Sequence, residues 1–327
     1  MRWGIFLILM LPFALSPADE GGRGVYGSTP LSIPLGVRSA GMGDAFVGVA
    51  DDLSALSFNP AGLSRMTSPR LTASHYEWFG DVRCEWLGFA QPIGGILTAA
   101  VSILYLHTPQ TPMTVESSAG AWGYVQDGSF KYSATSFQIG VGAEVGLNLM
   151  AGAAVRISEG SLSFQNTSSP MPKYAGRLSS LCLGLLYETP IPRLRVGLSI
   201  SGMRLSGRDF LGEEMEIPRL ISLGIGYELR FRSRGIKSGE APENALILSA
   251  DLLIPSDDRP TVRVGGEYRM ANGLAVRIGY RSDGDLEGLQ RLSGGIGYSS
   301  ANYTLDYAFT PYGDLGDVHR AALTIRF

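Results

Sequence analysis

The segment Thr261–Met270, TVRVGGEYRM, alternates without a break. Val262, Val264, Gly266, Tyr268 and Met270 take one face, while Arg263, Glu267 and Arg269 take the other. A period of two is the signature of a β-strand, whose successive side chains point to opposite sides of the sheet. The pattern spreads in both directions. Leu274–Arg281 sets Leu274, Val276, Ile278 and Tyr280 against Arg277 and Arg281. Tyr303–Thr310 sets Tyr303, Leu305, Tyr307 and Phe309 against Thr304 and Asp306, and the last residues set Leu323, Ile325 and Phe327 against Arg320, Thr324 and Arg326.

Alternation alone fits a soluble sandwich as well as a membrane barrel. Three features favour the barrel. The alternating runs reach roughly 9–11 residues, enough to cross a bilayer at a tilt, against the ~5–6 usual in soluble sheets. Aromatic residues gather at strand ends (Tyr105, Tyr187, Tyr227, Tyr268, Tyr280, Tyr298), as an interfacial girdle requires. The polar face is charged, which a dry core between two sheets would not tolerate but a wet lumen would. Closure also pairs every edge N–H and C=O, which lipid demands.

The same reading predicts strands over Leu71–Phe79, Arg83–Gln91, Ile96–Leu106, Phe130–Val145, Leu147–Ser161, Leu178–Glu188 and Leu194–Met203. It continues with Leu220–Arg232, Ala245–Ile254, Thr261–Met270, Leu274–Arg281, Leu292–Tyr298, Tyr303–Thr310 and His319–Phe327. That is about fourteen, an even number as in bacterial outer-membrane barrels. Short connections at Pro92–Gly95, Thr189–Arg193 and Ala271–Gly273 alternate with long ones at His107–Ser129, Leu162–Arg177 and Leu205–Arg219. The polar connection Ser233–Asn244 breaks the rule, being long on the side that should be short.

Composition agrees. Charged residues are only 17% of the 327, below the ~25% of ordinary soluble domains, and hydrophobic residues reach 45%. A net charge of -3 gives no basic face for nucleic acid. At the N-terminus, Arg2 precedes an apolar run from Trp3 to Leu15, followed by Ser16-Pro17-Ala18. The run is shorter than the ~20 residues a spanning helix needs and has the form of a signal peptide over residues 1–18. Export is therefore expected, to the outer membrane of a Gram-negative-type bacterium.

Between this leader and the strands lies a segment of different grammar, Gly36–Met66, GVRSAGMGDAFVGVADDLSALSFNPAGLSRM. Asp51 or Asp52 is placed to N-cap a short helix over Leu53–Ser57. Asn59-Pro60 repeats the device, with Pro at the first helical position, where its missing N–H costs nothing. Two short capped helices joined by small residues suit a narrow space. The expected division is an N-terminal extension and hatch over residues 19–66 and a transmembrane barrel over residues 67–327.

The run RSAGMGDAFVGVADDLSALSFNPAGL resembles the FadL-like outer-membrane barrels, and within them the PorV/PorQ branch. The features that carry it are Gly41-Met42-Gly43, Ala50-Asp51-Asp52 and Asn59-Pro60-Ala61-Gly62 in this order, before a barrel that ends in Phe327. The resemblance implies a fourteen-stranded barrel with a hatch in its lumen. It also implies passage of hydrophobic or amphipathic small molecules through the outer membrane, or, for PorV-like members, a role in type IX secretion with exported proteins as partners. Leu323, Ile325 and Phe327 are similar to the terminal signal read by the barrel-insertion machinery.

Other motifs dissolve on inspection. Asp283-Gly284-Asp285-Leu286-Glu287-Gly288 starts like a calcium loop, but the closing acid would fall on Gly294, so it reads as a surface turn. His75, His107 and His319 lack the spacing of a metal or catalytic set, and neither an enzyme nor a cofactor is expected. Cys84 and Cys182 fall on strands far apart in barrel order, too distant for a bridge. Arg263, Arg269, Arg277, Arg281 and Arg326 should line the lumen with Asp251, Glu267 and Asp306. Acids interleaved with arginines suggest a mutually neutralising, wet network; the alternative is a basic wall facing an anionic headgroup or Asp51–Asp52. If the chain is a membrane barrel, it should stay folded in mild detergent and run at different apparent masses on a gel before and after boiling. Identical migration would remove the barrel.

Overall fold

The computed structural model describes residues 33, 35–118, 120, 122–165, 167–168, 173–208, 217–232, 243–282 and 288–327. The expected leader, most of the Ser233–Asn244 connection and residues 283–287 of the calcium-like turn lie outside them. The described chain forms one antiparallel sheet of fifteen strands: β1 (Arg70–Glu77), β2 (Arg83–Ile93), β3 (Leu97–His107), β4 (Thr111–Glu116), β5 (Tyr124–Gly146), β6 (Leu149–Gln165), β7 (Tyr174–Glu188) and β8 (Leu194–Arg208). It continues with β9 (Leu220–Arg232), β10 (Glu243–Pro255), β11 (Thr261–Arg269), β12 (Leu274–Arg281), β13 (Leu292–Ser299), β14 (Tyr303–Pro311) and β15 (Asp317–Arg326).

The sheet closes on itself. β1 pairs with β15 from Arg70↔Arg326 to Glu77↔His319, and β3 pairs with β5 from Leu97↔Ala143 to His107↔Ser133. Fourteen strands therefore form the ring, and β4 lies outside it, paired only to the outer extension of β5. The fourteen expected strands correspond one to one with the ring. The addition is β4, which falls in what reads as the loop His107–Ser129. Its six residues, TPMTVE, are too short and too broken by Pro112 to announce a strand by period.

Local geometry explains the short-turn end. Gly94 and Gly95, and Leu147 and Asn148, all have positive φ, the combination that a two-residue type I′ hairpin needs at both central positions. At the opposite end, β5 to β8 run 15–23 residues and stand beyond any membrane-crossing length.

The faces sort as two solvents require. Outward residues such as Phe137, Ile139, Val141, Ile278 and Ile296 are among the exposed large apolar groups, with Tyr268, Tyr280, Tyr298 and Tyr303 near the strand ends. Water would not tolerate so much exposed apolar surface on a monomer, whereas lipid does. The core is instead inside the ring, and residues 35–66 fill it. Within that segment α1 (Val37–Gly41), α2 (Ala55–Phe58) and a 3-10 turn (Pro60–Arg65) are linked by irregular chain. Met42, Phe46, Val49, Leu53, Leu56 and Leu63 are wholly buried there.

The close fit depends on absent side chains. The inner faces of β5 to β9 and β11 to β13 carry Gly142, Gly152, Gly184, Gly197, Gly226, Gly265, Gly279 and Gly295 against the segment's own backbone. A Cβ on Gly226 would come within 2.7 Å of Gly48 O, and one on Gly295 within 3.1 Å of Gly41 Cα. Gly266, on the outer face, has only Ile278 and Leu248 side chains at 3.8 Å. Gly279→Ala should cost about 1–3 kcal/mol by overpacking, while Gly266→Ala should be near neutral. Urea midpoints of the two variants in detergent check this, and equal midpoints would refute the packing argument.

Candidate functional site

The lumenal segment is tied to the wall around its circumference. Gly36 N donates to Tyr76 Oη on β1 at 3.2 Å, and Gly43 N to Ser293 Oγ on β13 at 3.0 Å. Asp251 Oδ2 on β10 accepts from Phe46 N and Val47 N at 2.6 and 2.9 Å. Gln138 Nε2 on β5 donates to Leu56 O at 2.8 Å, and Arg156 Nη2 on β6 to Ser57 Oγ at 2.7 Å. Asn59 joins three places: Nδ2 donates to Leu185 O on β7 and to Val47 O, while Oδ1 accepts from Ala61 N to cap the 3-10 turn. Pro60 occupies the first position of that turn. Gly62 packs against the Ala50 backbone, where a Cβ would have no room. Ala61 packs with Met150 and Leu186.

Of the two aspartates, Asp52 meets the capping expectation in part and Asp51 does not. The helix starts at Ala55, its N-cap Ser54 makes no side-chain cap bond, and Asp52 Oδ1 instead accepts from Ser54 N at 2.9 Å and Ser54 Oγ at 2.5 Å. Asp51 turns to Arg38, which reaches it through Nη1 and reaches Asp52 at 3.3 Å. Arg38 and Arg65 claim Asp51, whereas Asp52 accepts the Ser54 N–H through Oδ1 and meets Arg38 through Oδ2.

Arg38 is the centre of the network. Its Nε and Nη2 donate to Glu267 Oε2 and Oε1 at 2.7 and 3.1 Å, a bidentate fork to β11. Glu267 is wholly buried and also receives Arg269 Nε and Arg277 Nε, each at 2.5 Å. Arg277 Nη1 continues to Asp306 at 2.7 Å on β14. Burial opposes the charge on Arg38, but Asp51, Glu267 and Asp52 outweigh it and hold the guanidinium well above its ordinary pKa. Burial likewise opposes ionisation of Asp51, yet Arg38, Arg65 and Arg269 hold its carboxyl far below the usual range.

The remaining charged positions lie elsewhere on the inner wall. Arg263 approaches Asp44 at 3.9 Å. Arg281 donates to Tyr312 Oη at 3.0 Å and stacks on its ring. Arg326 donates to Thr304 Oγ1 at 2.8 Å. Leu323 and Ile325 fall on alternate positions of β15, and Phe327 follows with its N–H bonded to Pro69 O. Residues that the sequence reading does not single out as site residues are Arg38, Asp44, Arg156 and Arg320, the last buried between the rings of Tyr76 and Trp78. Arg320 sits on the charged face of its strand by alternation; the others have no periodic signal.

The segment divides the lumen. On the short-turn side lies a cavity of about 520 Å³, lined by Arg38, Asp51, Arg70, Arg269, Ser299 and Arg326 among others. On the long-loop side lies one of about 250 Å³, lined by Asp44, Val47, Phe58, Cys182, Leu253 and Pro218 among others. Cys84 and Cys182 are free and buried.

With this geometry in hand, comparison with known proteins is informative. Residues 18–173 match the model of an uncharacterised protein family, UPF0164. No curated protein matches the chain in sequence. Among solved structures, the Ralstonia pickettii toluene transporter TbuX superposes with a TM-score of 0.59 at 14% identity, covering 90% of this chain and 98% of its own. The deltaS2 mutant of the TodX monoaromatic hydrocarbon channel gives 0.61 at 12% identity, covering 90% and 98%. A Pseudomonas aeruginosa FadL homologue gives 0.50 at 14% identity, covering 88% and 98%. The fold is that of the FadL-type barrels.

Removing the central carboxylate exposes the logic of the network. Glu267→Gln leaves Arg38, Arg269 and Arg277 without their shared anion and should destabilise by about 3–5 kcal/mol, read as a lowered urea midpoint. Because Asp51 has a depressed folded pKa, its contribution is complete above the ordinary carboxylate range of about pH 4 and is lost as pH falls below it. Asp51→Asn should therefore flatten the acid limb of stability; an unchanged limb would exclude Asp51 as its source.

Proposed function

We propose that this protein is an outer-membrane channel for passive passage of hydrophobic or amphipathic small molecules, with residues 36–66 as its hatch. The observation that carries the reading is the lumenal segment itself, which separates two cavities at opposite ends of a barrel open to lipid only on its outside. TbuX and TodX, described as a toluene transporter and a monoaromatic hydrocarbon channel, share the fold and support the reading. Passage needs no bond to be made or broken, so no catalytic group is assigned.

In this reading Gly41, Gly43, Asp51, Asp52, Asn59, Pro60, Ala61 and Gly62 shape the hatch. The network of Arg38 with Glu267, Arg269, Arg277 and Asp306 seats it, while Asp251, Arg263, Arg281 and Arg326 complete the wet inner wall. Residues 1–18 direct export, and Leu323, Ile325 and Phe327 engage the insertion machinery of the outer membrane. The type IX secretion reading rests on the hatch motif alone, whereas the likeness in fold supports the channel.

Vesicles carrying the purified barrel should take up a small aromatic hydrocarbon faster than empty vesicles. Weakening the seat with Glu267→Gln should raise the rate further. Uptake equal to that of empty vesicles, for both the natural chain and Glu267→Gln, would end the channel reading.

A further inference from the structure

The outer cavity combines an apolar wall with an oddity at its floor. Leu220, Leu253, Pro218 and Phe58 contribute apolar surface, and at about 250 Å³ the space is below the ~300 Å³ at which drug-sized pockets begin. A single small ring with a short substituent fits such a volume. Asp44, on the hatch, also lines this space, is only 4% exposed and has φ of 58°. Among the described residues, its Oδ1 is buried without a hydrogen-bond partner. Arg263 reaches only the other oxygen, and at 3.9 Å.

Beside it, Asp251 spends Oδ2 on Phe46 N and Val47 N, while Oδ1 lies next to Gly48 over Gly224 without a well-directed bond. A buried acceptor left without a donor carries its full desolvation cost, and more so when charged. That cost is recovered when a donor arrives. The cavity also has a cationic side, but Arg156 there is already engaged by Ser57 Oγ at 2.7 Å and Gln138 Oε1 at 3.4 Å. Arg219 and Arg263 line the same space, and Asp44 Oδ1 is an acceptor left unmet among the described residues.

We propose that the outer cavity is a binding site for a small apolar molecule carrying a hydrogen-bond donor, an alcohol or a protonated amine, received by Asp44 with Asp251 beside it. This deepens the channel reading and rests on it for what the cavity serves, because it names the class of molecule held before the hatch. Plain hydrocarbons fit the wall but leave Asp44 Oδ1 unpaired, and an ionised carboxylate has no donor to offer it.

The test titrates benzylamine, benzyl alcohol, toluene and benzoate against the full-chain barrel in detergent, each corrected by an empty-micelle blank. Benzylamine and benzyl alcohol should bind at least ten-fold tighter than toluene or benzoate. Asp44→Asn should weaken benzylamine at least ten-fold and leave toluene unchanged. Ser180→Leu, at a buried wall position lining the cavity, should abolish binding of all four while the barrel stays heat-modifiable. The proposal falls if toluene or benzoate binds as tightly as the donors, if Asp44→Asn has no effect, or if Ser180→Leu leaves binding intact. Uptake into vesicles separates the two ideas. Donor-selective binding without uptake upholds the site and ends the channel, whereas uptake without donor preference does the reverse.

Discussion

Anions offset the high cost of burying a guanidinium, and Arg38 lies within the lumen at 11% side-chain exposure. Its neighbours supply those anions. Asp51 and Asp52 come from its own segment, and Glu267 comes from the wall with two oxygens in fork geometry. Glu267 in turn needs more than one cation because it is wholly buried, and Arg269 and Arg277 supply them. The chain of charges ends at Asp306 on β14. An ion network of this kind is weak evidence of net stability, because desolvation offsets most of the attraction. Its effect is on position. A fork fixes rotation as well as distance, so the inner segment has one seating.

That seating also depends on what the wall lacks. Glycines on the inner faces let backbone meet backbone, so the segment packs without interdigitating side chains. Close packing and charge pairing then act at different points around the ring. β10 holds Phe46 and Val47 through a carboxylate, β7 holds Asn59 through a carbonyl, and β5 holds Leu56 through an amide. Cavities remain on both sides: arginines and acids crowd the one at the short turns, while the other mixes leucines and prolines with arginines and aspartates.

Much of the fold was legible because a barrel strand has to serve two solvents. Lipid outside and water or charge inside force a period of two, and β11 shows it residue by residue from Thr261 to Arg269. Alternation separates faces, so Arg263 and Glu267 were readable as sharing one. It says nothing of what meets that face. Arg38 sits between Val37 and Ser39 in a stretch with no period, and its partner Glu267 is 229 residues away. No local pattern encodes such a pair. Asp51 and Asp52 divide the expected role: Asp52 accepts the Ser54 N–H as a cap does, while a buried cation takes Asp51. β4 escaped notice because it pairs outside the ring, where no lipid imposes alternation.

The reach of the inner segment across the ring has a bearing on the order of events during folding. Its residues are made before any strand, yet Tyr76, Gln138, Leu185, Asp251, Glu267 and Ser293 must all be in place before its bonds can form. Contacts of such long sequence separation are entropically costly until the intervening chain is ordered. The segment made before the strands thus gains these bonds only where distant parts of the ring stand beside it.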